Sequence, residues 1–190
     1  MKYINYAVCA GLLSLMGCAS LKNSDETSYA GYVNPFIGTD FTGNTYPGAQ
    51  SPFGMVQLSP DNGLPGWDRI SGYFYPDSTI SGFSHTHLSG TGAGDLYDIS
   101  FMPVTLPYHE AAAPLGIHSK FSHKDEKAHA GYYQVKLTDY DINVELTATA
   151  RCGIQRYTFP KAESAVFLDL KKAMNWDATT DSHIEVVDSV

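Results

Sequence analysis

Cysteine is scarce in this chain. Of Cys9, Cys18 and Cys152, the first falls in an N-terminal leader and the second directly follows it, in a lipid-attachment context. That leaves Cys152 without an intrachain partner and excludes both a disulfide framework and a multi-cysteine metal site. Basic charge is also short, with 12 Lys and Arg against 20 Asp and Glu and a formal charge of −8. An acidic chain with no basic run argues against nucleic acid as a partner. No apolar run reaches the roughly 20 residues of a membrane-spanning helix. Helical periodicity is nearly missing too, apart from a weak stretch near Ala111 that Pro107 and Pro114 bracket.

What the N-terminus does contain is an export signal. Lys2 supplies a positive charge, Ala7 to Met16 is mostly apolar, and Leu15-Met16-Gly17-Cys18 follows. This resembles the lipobox of bacterial lipoproteins, in which the cysteine thiol receives a diacylglyceryl group and becomes the mature N-terminus. The expectation is a signal peptide over 1–17 and lipidation of Cys18, with the protein held to the bacterial cell envelope on its periplasmic face or at the cell surface. Several acyl chains, each contributing about 0.8 kcal/mol per buried CH₂, give stable anchoring. Cleavage removes Lys2 and no acid, so −8 becomes −9. Residues 18–32 are largely small and polar and read as a tether. The remainder, 33–190, is long enough for one packed domain.

Strand signals dominate that remainder. Tyr133, Val135 and Leu137 alternate with polar residues, as do Ile142, Val144, Leu146 and Ala148. With Thr138-Asp-Tyr-Asp141 as the turn, the two segments predict an antiparallel hairpin. Further strands are expected over 54–59, 71–75, 80–85, 99–104, 154–159, 165–170 and 183–187. Short strands broken by Gly, Pro and Asp predict an all-β fold, an antiparallel β-sandwich. Residues 33–105 are dense in Gly, Pro and aromatics, a texture of structured loops that tend to carry function.

Two clusters bear chemistry. Gly66-Trp67-Asp68-Arg69 offers an indole face for the C–H surface of a sugar ring, with an acceptor and a donor for hydroxyls beside it. A tryptophan packed under a loop with a surface ion pair fits the same residues. In Ser84-His85-Thr86-His87, a continuing strand would point both imidazoles to one face. Metal ligation with Asp95 or Asp98, lining of a polar cleft and buried packing all fit. The following Gly90-Thr-Gly-Ala-Gly94 lacks the Lys-Ser/Thr of a phosphate loop. No serine sits in a nucleophile elbow. Asp61, Asp68, Asp77, Asp95 and Asp98 could include an acid–base pair, but their separations are not readable from sequence.

In order along the chain stand Val33-Asn-Pro-Phe-Ile-Gly-Thr39, Thr45-Tyr-Pro-Gly-Ala49 and Pro52-Phe-Gly-Met-Val-Gln-Leu-Ser-Pro-Asp61. Ser71-Gly-Tyr73, Asp77-Ser-Thr-Ile80, Gly82-Phe-Ser-His-Thr-His-Leu-Ser-Gly-Thr-Gly92, Gly94-Asp95 and Asp98 follow. This series resembles the N-terminal domain of glycoside hydrolase family 92, calcium-dependent exo-α-mannosidases that invert the anomeric centre. The resemblance implies an N-terminal β-sandwich packed on a C-terminal (α/α)₆ barrel. The catalytic carboxylates and calcium ligands belong to the barrel, so 33–190 is expected to be incomplete at its C-terminal end. No catalytic residue and no cofactor is expected within the chain itself. Its expected partners are mannose-containing glycans, the helical domain and the membrane reached through Cys18. Trp67, Asp68, Arg69, His85 and His87 are the candidate substrate-binding residues. A stand-alone carbohydrate-binding surface lipoprotein is the alternative.

Overall fold

The computed structural model describes residues 28–90, 92–93, 96–111, 115–172 and 178–187. The export leader, Cys18 and Asp95 lie outside the described residues. Among those described there is no α-helix, only 3₁₀ turns at Tyr29–Tyr32, Trp67–Arg69 and His123–Asp125. The first of these occupies the end of the expected tether.

The strands are β1 (Ala49–Gln50), β2 (Gln57–Asp61), β3 (Thr79–Ile80), β4 (Gly82–Ser84), β5 (Ser100–Thr105) and β6 (Ser119–Lys120). They continue with β7 (Lys127–His129), β8 (Tyr132–Leu137), β9 (Ile142–Ala148), β10 (Gly153–Thr158) and β11 (Ser164–Asp169). A five-stranded sheet runs β1-β2-β4-β5-β11, a four-stranded sheet runs β10-β9-β8-β7, and β3 pairs with β6. Every strand pairing is antiparallel.

The hairpin forms as its alternation requires, with Val135 opposite Val144 and Leu137 opposite Ile142. Tyr133, Val135, Leu137, Ile142, Val144 and Leu146 all face inward and are buried. Leu58, Phe83, Met102 and Val104 meet them from the five-stranded sheet, closing one core. Burial of each such side chain contributes about 1.5–3 kcal/mol. This is the antiparallel β-sandwich that the pattern of short strands predicts.

The first half departs from expectation in three places. The strand expected from residue 54 begins at Gln57, because Gly54 N–H closes a turn onto the Ser51 carbonyl at 2.9 Å. The strand expected over 80–85 is split at Ser81, whose N–H donates to the Asp61 carbonyl at 2.8 Å, and its halves enter different sheets. No strand forms over 71–75. Gly72 has φ +88° there, and its N–H donates to the Arg69 carbonyl, which makes a turn. Residues 183–187 are exposed and enter neither sheet.

Candidate functional site

At the end of β2 the chain leaves the sheet for a loop over residues 62–73, and Asn62 fastens its base. The buried Asn62 side chain donates to the Thr79 carbonyl at 2.8 Å and accepts from Phe74 N–H, while its own N–H donates to the Gly72 carbonyl. At the tip, Trp67–Arg69 makes a 3₁₀ turn, with Arg69 N–H bonded to the Gly66 carbonyl at 3.0 Å.

Arg69 reaches back into the protein. Its Nε and Nη2 donate to the two carboxylate oxygens of Asp77 at 2.6 and 2.5 Å, and its guanidinium lies 4.8 Å from the Phe74 ring centre. Hydrogen bonding to Asp77 raises the guanidinium pKa further above its usual value. Arg69 is thus a clamp on the loop, and its outward neighbours are Asp68 and Trp67, the latter 57 % exposed.

His85 and His87 part company because β4 ends at Ser84 and the alternation stops with it. His85 Nδ1 donates to the Ile99 carbonyl at 2.8 Å, and its ring sits edge-on to Phe101. His87 is only 2 % exposed. Its Nδ1 donates to the Gln57 carbonyl at 2.7 Å, while Nε2 lies 2.9 Å from Asp61 Oδ1 and 3.0 Å from Ser84 Oγ. A nucleophile–base–acid relay needs the serine and the carboxylate on opposite ring nitrogens. Here both meet Nε2, and the trio is buried, so it holds structure. Gly72 fits over it because a Cβ would stand 2.6 Å from Asp61 Oδ1 and 3.0 Å from His87 Cδ2.

Two further candidate aspartates have partners: Asp77 holds Arg69, and Asp98 Oδ2 accepts from Thr86 Oγ1 at 3.0 Å. Among the described residues no group of three His, Cys, Asp or Glu side chains is placed to hold a metal ion.

A second buried polar cluster escapes sequence reasoning. Glu126 accepts from Tyr73 Oη at 2.9 and 3.0 Å, from Tyr133 Oη at 2.6 Å and from His123 Nδ1 at 2.6 Å. Burial, with the Glu126 carboxylate second, pushes both tyrosine hydroxyls well above their usual pKa. Tyr73 stands 53 positions from Glu126, so no local pattern announces the bond. It ties the first-half loops to the four-stranded sheet.

Beside these loops lies an apolar surface. Phe41 and Phe53 have φ of +52° and +56°, a left-handed conformation unusual for bulky residues, and are 80 % and 107 % exposed. Ile37 and Met55 are exposed as well. A cavity of about 820 Å³ opens there, lined in part by Val33, Ile37, Tyr46, Phe53 and His129.

Comparison with known proteins follows the same boundaries. The glycosyl hydrolase family 92 N-terminal domain matches residues 32–190. A family GH92 α-mannosidase of Bacteroides thetaiotaomicron, solved with mannoimidazole, superposes with TM-score 0.73 at 42 % identity, over 77 % of this chain and 20 % of that one. An inverting GH92 mannosidase of the same organism gives TM-score 0.62 at 30 % identity, again over 77 % of this chain and 20 % of that one. An uncharacterized secreted glycosidase of Arthroderma benhamiae is 30 % identical over 139 residues, 68 % of this chain and 17 % of that protein. The chain therefore spans about a fifth of the length of these relatives. It belongs to glycoside hydrolase family 92, whose N-terminal domain it carries.

Proposed function

We propose that residues 33–190 are the carbohydrate-facing N-terminal module of an inverting exo-α-mannosidase, and that Trp67 presents its indole to the terminal mannose. The observation that carries this reading is the Trp67 turn. A large apolar ring is held out to solvent by a clamp of Arg69, Asp77 and Phe74 beneath it. Such a ring covers the C–H face of a pyranose, and Asp68 beside it accepts from hydroxyls. The α-mannosidase names of two solved relatives support the substrate class. His87 serves the reading differently from Trp67, since both its ring nitrogens are occupied in holding the loops, whereas His85 is bonded at Nδ1 alone.

Calcium, as the family uses it, is assigned by the family resemblance to the helical domain together with the acid and base. The exposed Phe41, Phe53, Ile37 and Met55 are the face that meets that domain. An apolar surface of this kind marks an interaction site. Acylation at Cys18 then places the enzyme at the cell envelope.

Residues 18–190, assayed with calcium on an aryl α-mannoside, are expected to show no turnover. Clear turnover abolished by Trp67→Ala would overturn the reading. Mass spectrometry of the mature protein is expected to find a diacylglyceryl thioether on Cys18, and an unmodified N-terminus there removes the anchor.

A further inference from the structure

We infer that Gly92 is a positioning residue for the Trp67 indole, so that the glycine-rich loop after His87 sets where a sugar ring can stack. This rests on the reading of Trp67 as the sugar-facing platform. The two motifs that carried chemistry in the sequence, 66–69 and 84–92, meet at this contact. A Cβ built on Gly92 would lie 3.1 Å from Trp67 Cζ2 and 3.3 Å from Cη2. Those distances are tighter than nine in ten real Cβ contacts, so the ring or the loop would have to give by a few tenths of an ångström.

The backbone under the ring is not free to move with it. Arg69 N–H bonds the Gly66 carbonyl, the guanidinium holds Asp77 through two bonds, and Ile70 is buried directly after the turn. On the Trp67 side, displacement therefore goes into the tryptophan side-chain angles, which tilts or slides the stacking face. Losing that alignment is expected to weaken a bound pyranose by about three- to tenfold, the equivalent of about 0.6–1.4 kcal/mol.

Gly90 supplies the matched control. It has φ +71° and nothing within 4 Å of where its Cβ would stand. A side chain there strains the backbone without reaching the indole. At Gly92 the backbone is not left-handed, so a substitution is felt through the ring alone.

The chain has two tryptophans, so a Trp176→Phe background leaves Trp67 as the reporter. In that background, Gly92→Val is expected to shift the emission maximum and the acrylamide quenching of Trp67. Gly92→Ala should do so less, and Gly90→Ala should leave both unchanged. Titration with methyl α-mannoside is expected to lose about three- to tenfold in affinity for Gly92→Val, with unchanged far-UV circular dichroism. An unmoved indole in both Gly92 variants overturns the contact. A moved indole with unchanged mannoside affinity, while Trp67→Ala abolishes binding, overturns the role in recognition. Undiminished binding by Trp67→Ala, or no binding by the unsubstituted chain, overturns instead the reading of Trp67 as the platform.

Discussion

Between Thr39 and Ser100 the interior is fastened by polar bonds, whereas from Ser119 to Asp169 it is fastened by packed apolar rows. Ten of the twelve buried polar side chains among the described residues lie in the first stretch. Asn62, Asp61, His87 and Arg69 each have one set of partners, and each fixes a loop. The hairpin of β8 and β9 instead buries Val135, Leu137, Ile142, Val144 and Leu146 on one face, where a methyl group more or less is graded in effect. A loop scaffold held by polar bonds has a single arrangement, as a binding surface requires. It also fails abruptly when one partner is removed.

The sharpest test of that contrast is the Asp61–His87 pair. Asp61→Ala leaves Nε2 of the buried His87 with Ser84 Oγ alone, and losing a hydrogen bond to a charged group costs up to about 3 kcal/mol. The expected readout is a large drop in the denaturation midpoint, with red-shifted Trp67 emission as the 62–73 loop opens. A loss under about 1 kcal/mol would show that the loops stand without their polar anchors.

Next in size is Arg69→Ala, which strands the mostly buried Asp77 carboxylate and removes the ring contact with Phe74. About 2 kcal/mol is expected, since hydrogen bonds to charged groups contribute about 1.5–3 kcal/mol. Arg69→Lys keeps the charge but not the paired geometry, and should recover only part of the loss. Denaturant titration of the three proteins checks the order.

The junction between the two regions should show itself in alkali. Tyr73 and Tyr133 both bond Glu126, and burial raises their folded pKa above the unfolded value of 10.0. Their contribution is fully present below pH 10 and is lost as pH rises beyond it, because the unfolded chain releases those protons first. Each contributes a fall of about 1.4 kcal/mol per pH unit above 10. Tyr46, pushed up to about 12 by burial, adds to the slope until it titrates. Tyr133→Phe should remove one tyrosine's share of the slope, measured as the denaturation midpoint against pH. An unchanged slope would take Tyr133 out of the account.

How much was legible in the sequence divides along the same line. The hairpin could be read because alternation and turn are both local, and the burial pattern follows it residue by residue. The turn at Ser71–Tyr73 could not, because Ser-Gly-Tyr mimics strand alternation while its shape is set by Asn62 and Arg69. Trp67 is marked in the sequence by its residue type, and its ring is exposed in the structure. Arg69 is marked too, and its Nε and Nη2 are taken up by Asp77, a bond that no local pattern announces. His85 and His87 were expected to share a face only if β4 continued, and the strand stops one residue before His85. Family resemblance rested on words such as Leu-Ser-Pro-Asp61, Ser71-Gly-Tyr73, Asp77 and Ser84-His-Thr-His87. These prove to be largely the fasteners of the loops. Motif order therefore identified the fold more securely than it identified the residues that touch sugar.

The smallest expected effect is the most discriminating control. Arg156 on β10 and Glu145 on β9 form a two-point pair at 2.6 and 2.5 Å, close to the geometry of Arg69 with Asp77. The difference is setting: the Arg156 side chain is 70 % exposed and that of Arg69 21 %. Water and salt screen the outer pair, and ordering a long arginine offsets what attraction remains. Glu145 also keeps a bond from Tyr132 Oη at 2.7 Å when the arginine is gone. Arg156→Ala is therefore expected to leave the denaturation midpoint unchanged at physiological salt, where Arg69→Ala lowers it. Equal losses in the two variants would mean that the outer face of the four-stranded sheet depends on specific polar bonds as well. The division between a polar-fastened loop half and an apolar-packed sheet half would then have to be abandoned.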